Sequence, residues 1–595
     1  MLRRIPPLPS VPDLFTVMDD SHLNDTTAFT MGIAAAVAQG SKVLFIPSGT
    51  YTLSPSISIT TDITIIGNGD TTILKWAGSS GVASLIKCET NVINVTFRNL
   101  TIDGNYQNNT DGVSYMAAID FLAPNGSRLL LDNVKFINGR TLDVRVVGPT
   151  TVGQRVSFEM RDCRFLNGSE GTATRGSQAV AASDGVEFTA NNIYMNSGLT
   201  SIAYGRAGIV VQSTADNLAR GSTHITNVDM RYMGRPSSNA LGCIYIYSGA
   251  DSVLIDSINL YDCYGCGLTV KTNSNAFVVN AVSIYNLTNA SAGHGVGAFA
   301  DVYDNTARCG TISNIVINGS DGQGIFLDGD NLTGANQFSG LQLANVNLYN
   351  IATTGIMMRY LDSVTFTNIQ IDGATTAISY NNMTGPFKIS DCMFENISGD
   401  GIFGNGAQAN LDLIICDTKL DAIGANGIRT PAIKSFHIRD NILSNITSGA
   451  IIVPGSTVFS TVKGNVAISV GYPIDFSGTH TLVSEYDNDF TVDMGYTGLR
   501  SITIATGAIT VKSWWHSLDT EAAAATDDLD TINGGYEGRK LTLTASNSAR
   551  TVVVKDGTGN LRLNGDFTMD HADDTISLIY MSSVWRETSR SDNTV

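Results

Sequence analysis

Apolar and polar residues recur down the chain in one phrase, apolar-x-apolar-x-polar-apolar-x-apolar. Clear copies are VTFRNLTI from residue 95, TISNIVI from 311, LQLANVNL from 341, VTFTNIQI from 364 and FKISDCMF from 387. Alternation with period two predicts half-buried strands, and the polar residue that breaks the phase marks a turn. Marking it gives Asn99, Asn133, Asp162, Asn192, Asn227, Ser257, Ala281, Asn314, Asn345, Asn368, Asp391, Asp417 and Asp440, thirteen coils spaced 23 to 35 residues apart. Some eleven residues past each marker, Gly followed by an aliphatic residue begins the next strand, as at Gly208-Ile209, Gly267-Leu268, Gly324-Ile325, Gly355-Ile356, Gly401-Ile402 and Gly427-Ile428. Units of this length cannot bury an apolar face alone and must stack, with Asn and Asp side chains laddered at the turn. The expected fold is all-β: a right-handed parallel β-helix of about 13 or more coils. A leucine-rich horseshoe would need a denser Leu framework, and a propeller needs a longer period.

The ends differ from the repeat. Residues 25–39, DTTAFTMGIAAAVAQ, read as a helix that starts at Asp25 or Thr26 and stops at Gly40, placed to cap the first coil. Repeat phrasing fades near residue 490. Beyond it, strict alternation in LTLTASNSARTVVVKDGTGNLRL and DDTISLIYMSSVWRETSRSDN, with DG, NG and GG turns, predicts an antiparallel β-sandwich. The expected organisation is an N-terminal arm (1–18), a cap with the first coils (19–92), the parallel β-helix (93–490), a connector (491–515) and the C-terminal sandwich (516–595).

Composition agrees: 59 glycines and only 15% charged residues suit short strands and tight turns. A formal net charge of −18 argues against a nucleic-acid or anionic-membrane binder. No segment approaches the length of a membrane span, and residues 1–18 lack the apolar stretch of a secretory signal. Of eight cysteines only Cys263 and Cys266 form a CxxC pair, with no second pair to complete a zinc site, so buried reduced thiols and no metal are expected.

The opening helix, followed by VLFIPSGTYTLS from 43 and DITIIGNGDTTILKW from 62, resembles the start of the pectate-lyase-like β-helix superfamily common in bacteriophage tailspikes. The C-terminal segment is similar to the terminal modules of phage tail fibres and tailspikes. That resemblance implies a homotrimer held by residues 516–595, in which the module serves trimerisation or glycan binding. It implies a virion tail protein, assembled in the host cytoplasm and acting at the host surface. Residues 1–18 or an adaptor protein would attach it. Its expected activity is recognition and depolymerisation of a bacterial surface polysaccharide (capsule, exopolysaccharide or O-antigen) by an endo-glycosidase. The alternatives are a non-catalytic receptor-binding tail protein and a polysaccharide lyase of the same fold, for which calcium is the expected ion.

Excess coil length locates the loops. It reaches 12 residues over the minimal 23 between Asn99 and Asn345 and is at most 3 thereafter. Counting three residues past the core aliphatic gives an outward column of Gln212, Tyr247, Lys271, Phe299, Asp328 and Arg359. Hydrolysis of a glycosidic bond needs two carboxyl groups. Asp328 and Asp330, with Asp301 on the preceding coil, are the first choice, Asp304, Asp184 and Glu187 the next; Asp328 could equally pair with Arg359. Tyr245 and Tyr247 suit sugar stacking, with only Tyr247 expected to face out, while Gln212, Lys271 and Arg359 would bind substrate. In the lyase alternative Lys271 or Arg359 is the base. His294, in the GHG at 293, is expected to be a turn residue.

Overall fold

The computed structural model describes residues 15–593 except 17–24, 55, 78–83, 90, 109–116, 140, 152, 169–176, 199–205, 213–220, 235–241, 248–249, 273–275, 289–292, 301–308, 330–337, 454–456, 476–479, 487, 489–500, 512–513 and 536. All thirteen marked residues adopt the left-handed conformation, with φ between 51° and 61°. Asn and Asp tolerate it because their short polar side chains bond locally. Across neighbouring coils these side chains also bond one another: Asn133 Nδ2 donates to Asn99 Oδ1 at 2.9 Å, and Asn345 Nδ2 to Asn314 Oδ1 at 3.0 Å. A second left-handed corner follows five residues later, at Asn138, Asp262, Asn286, Asn350, Asn396 and Asn445, with Gly319 and Gly373 in the same role. Between the two corners the chain makes a strand of four residues, too short to have announced itself by alternation. The coils number about 16.

The molecule falls into two compact units, residues 1–353 and 354–595. In the first, α1 (Asp25–Ala38) ends as expected, with Gly40 at φ 75°. It is fastened to the end of the strand Gly49–Leu53: Asp25 Oδ2 accepts from the Thr52 amide at 2.5 Å, and Thr26 Oγ1 from the amide of Ser54, just past that strand, at 2.7 Å. The Gly-aliphatic strands form one parallel sheet that includes β1 (Ser177–Ser183), β2 (Arg206–Gln212), β3 (Ile244–Tyr247), β4 (Leu268–Thr272), β5 (His294–Ala300) and β6 (Gln323–Asp328). Ile209, Ile244, Leu268, Val296 and Ile325 are consecutive partners in it and are completely buried. Each such side chain contributes about 1.5–3 kcal/mol of burial, so the row helps to hold neighbouring coils together.

The second unit continues with β7 (Thr354–Arg359), β8 (Thr376–Asn381) and β9 (Ile402–Asn405). Its corners carry the same ladders, with Asn396 Nδ2 donating to Asp372 Oδ1 at 2.7 Å. Its later coils place asparagines inside the core. Asn441 and Asn465 are completely buried; Asn441 Nδ2 donates to Asn465 Oδ1 at 2.9 Å, and Asn441 Oδ1 accepts the Thr418 amide at 3.0 Å. Asn465 in turn donates to Asn488 at 3.0 Å.

The C-terminal sheets are present, with strand directions that differ from the antiparallel expectation. β10 (Trp515–Asp519) pairs parallel with Ser501–Thr503 and with β11 (Lys540–Ala545). Only β11 with β12 (Thr575–Met581) and β12 with β13 (Val584–Ser591) pair antiparallel, and β13 pairs parallel again with Leu561–Arg562. Alternation reports that a strand has one buried face and is blind to the direction of its neighbour, which is why the sequence missed the parallel half. Trp585 anchors this core, its Nε1 donating to the Ile532 carbonyl at 3.0 Å. None of the eight cysteines is in a disulfide; seven are buried as expected, and Cys309 departs from that by being exposed. No helix among the described residues is long and apolar enough to cross a membrane.

Candidate functional site

Alternate residues of β1 to β6 point into the core, so the others define the outer face. Pairing puts Gln212 opposite Tyr247, Tyr247 opposite Lys271, Lys271 opposite Phe299 and Phe299 opposite Asp328. The column expected from sequence is therefore a single register line within the first unit, with a rise of roughly 4.8 Å per coil. Arg359 ends β7 in the second unit, half-buried and opposite Asn381, which is opposite Asn405.

A second outer column runs beside the first: Val210, Tyr245, Thr269, Gly297 and Phe326. Tyr245 lies between the buried Ile244 and Ile246 and is itself half-buried, so it faces outward, which corrects the expectation that only Tyr247 would. The count from the core aliphatic had stopped at the third residue and skipped the first. The outer face is closed at Val210, which is 0% exposed, and opens at Tyr245 and Lys271.

Asp328 is 8% exposed at the end of β6. Asp330, Asp301 and Asp304, the other carboxylates expected beside it, lie outside the described residues. Asp184 follows β1 in the left-handed conformation (φ 61°), and its amide donates to the Gln212 carbonyl at 2.9 Å, which sets it beside the end of the column. Glu187 is exposed on the next strand, opposite Ser157, so the two acids sit on either side of a turn rather than facing each other.

His294 is the first residue of β5 and is buried, not a turn residue. It shares a hydrogen bond of 3.0 Å between Nε2 and Thr269 Oγ1, and its ring lies 6.2 Å from that of Phe326. Burial holds its pKa down at about 4.

Sequence reasoning missed a buried ion pair on the same unit. Arg206, which opens β2, reaches back past β1 so that Nη2 meets Asp143 Oδ2 at 2.6 Å and Nη1 donates to the Gly139 carbonyl at 3.1 Å. Both side chains are buried. Burial pushes the Asp143 carboxyl up and the guanidinium pulls it down. A β-carbon on Gly139 would fall 1.6 Å from Asp143 Oδ1, and one on Gly168 1.5 Å from Arg206 Nη1, so a larger residue at either position would displace the ion pair. No local motif announces partners 63 residues apart. The glycines that directly follow the second corners Asn138 and Asn167 were the available signal.

Within each unit, parallel coils that turn on left-handed corners around an apolar interior define a parallel β-helix. Residues 302–467 match the family model described as right handed beta helix region, and residues 11–223 the one described as rhamnogalacturonase A/epimerase, pectate lyase-like. Both matches agree with the parallel β-helix that the coils build. No curated protein matches it. Among solved structures it is similar to the catalytic domain of a GH87 alpha-1,3-glucanase in complex with nigerose (13% identity, 81% of this chain and 70% of that one, TM-score 0.31). It is also similar to the A-module of an Azotobacter vinelandii mannuronan C-5 epimerase (14%, 79% and 98%, TM-score 0.28) and to the pre-mature bacteriophage phi29 gene product 12 (11%, 89% and 73%, TM-score 0.42).

Proposed function

We propose that this protein is a trimeric phage tailspike that binds and depolymerises a bacterial surface polysaccharide along the outer face of β3 to β6. The observation that carries the reading is the register line from Gln212 through Tyr247, Lys271 and Phe299 to Asp328. It sets hydrogen-bonding, aromatic, basic and acidic residue types along roughly 20 Å of one face, the span of a few sugars. The description of the family model over residues 11–223 names polysaccharide-active proteins and supports the substrate class.

In hydrolysis Asp328 is one of the two carboxyl groups and Asp330 or Asp301 the other. The protonated one delivers its proton to the glycosidic oxygen as the C–O bond breaks. The ionised one either activates water on the opposite face of the ring, with inversion, or attacks the anomeric carbon itself, with retention. The lyase reading is kept because Lys271 stands on the same line: it would remove the proton α to a uronate carboxylate while the C4–O glycosidic bond breaks and its electrons leave on the oxygen, and a calcium ion, if bound, would supply charge neutralisation of that carboxylate.

Purified protein incubated with capsular polysaccharides or lipopolysaccharides separates the readings when reducing ends and the ultraviolet absorbance of unsaturated uronates are followed together. Reducing ends alone mean hydrolysis, and both signals mean a lyase. Binding without either means a non-catalytic receptor-binding protein and ends the enzymatic proposal. Light scattering tests the trimer, which deletion of residues 516–595 should abolish.

A further inference from the structure

The chain has four tryptophans. Trp76 and Trp585 are buried, whereas the adjacent Trp514 and Trp515 are 56% and 42% exposed, with ring centroids 6.0 Å apart and planes at 30°. Trp515 begins β10, where the next residue, His516, is completely buried. Its partner on β11 is Thr542, whose partner on β12 is Ser577, whose partner on β13 is Ser589. The flanking Leu543 and Ile576 point into the core, so this row faces out. Thr542 Oγ1 and Ser577 Oγ are 3.1 Å apart, a bonded pair of hydroxyls next to the indoles in the row.

Such a face suits one kind of occupant. Half-exposed, the two indoles offer together about 250 Å² of apolar surface, whereas a stable protein interface takes about 800 Å² from each partner. The rest of the row is hydroxyl, with no charge in it. A second copy of the chain would leave those hydroxyls without apolar cover or ionic partners. A pyranose presents a C–H face that stacks on an indole and ring hydroxyls that exchange hydrogen bonds with Ser and Thr.

We propose that Trp514 and Trp515, with the row Thr542, Ser577 and Ser589, form a non-catalytic glycan-binding site in the second unit. This rests on the reading of the protein as polysaccharide-acting and adds to it a site whose ligand is recognised by pyranose faces and hydroxyls rather than by charge. It holds polymer to the protein independently of cleavage.

The test uses full-length protein, a panel of purified capsular polysaccharides cast in native gels, and intrinsic tryptophan fluorescence. Retardation of the wild type with a shift of its emission is expected. The Trp514→Ala/Trp515→Ala pair should weaken retardation by about tenfold or more, and Thr542→Val should weaken it less, while release of reducing ends from short oligosaccharides stays at the wild-type rate. Undiminished retardation of the double variant overturns the site, as does a wild type that cleaves polymer with no retardation; in the latter case the enzymatic reading survives. Tryptophan-dependent retardation without cleavage sustains the site while the enzymatic reading fails. Retardation that persists in 0.5 M salt is expected, since no charge is involved (about 0.5 M being well beyond the range of exposed ion pairs); its loss would overturn the hydroxyl-and-stacking account.

Discussion

The coils from Asn99 to Asn345 and those from Asn345 to Asp440 turn on the same pair of left-handed corners, yet the former take up to 35 residues and the latter 23 to 26. The difference extends to where polar groups are buried. In the longer coils they lie on or beside the outer face: Asp143 with Arg206, His294 with Thr269, and Asp328. Past the shorter coils they lie in the core as a ladder, Asn441 on Asn465. One stretch spends buried polarity on an outer surface and the other on stacking. Chemistry is therefore expected to be sensitive in the first and indifferent in the second.

The largest effect expected from that contrast is on turnover. Asp328→Asn should lower cleavage by about 10²–10⁴-fold, with gel retardation by polysaccharide unchanged; wild-type turnover would move the site off β6. Asp143→Ala should cost about 3–5 kcal/mol, because Arg206 is left charged and buried, and a fall in the thermal midpoint reads it. His294 gives a pH signature. Its pKa in the fold, about 4, lies below the ordinary 6.5, so the unfolded chain binds the extra proton first. Its contribution is complete above pH 6.5, is lost as pH falls towards 4 and then levels off, about 3 kcal/mol in all. His294→Asn should flatten that part of the melting curve against pH. In the second unit Asn441→Ala should cost about 1–3 kcal/mol by stranding the Thr418 amide, without touching turnover. Glu395→Ala, which removes one of two partly exposed carboxylates paired with Lys419, should cost less than about 1 kcal/mol.

Fold and register were legible because they repeat: thirteen marked positions, each held by a small polar residue or Ala, all turned out to be left-handed corners. The second corner could have been read the same way, since Asn138, Asn286, Asn350, Asn396 and Asn445 recur five residues after their markers. Tyr232 and Ala422 occupy the same place and blur that pattern. The column was legible for the same reason, being a count along aligned strands. The Arg206 and Asp143 pair was not, because it skips a coil and belongs to no repeat. Tyr245 shows that parity, not a fixed offset, decides which face a residue takes.

The interior ladder of Thr418, Asn441, Asn465 and Asn488 has a consequence for how the chain assembles. Coils of nearly equal length can mispair by a whole coil during folding and still match apolar to apolar. A slip there would set an asparagine against Cys392 or Ile369 and strand its amide in oil, at about 1–3 kcal/mol for each group left over. The ladder thus works as a vernier, accepting one frame among several that the hydrophobic pattern alone would let through.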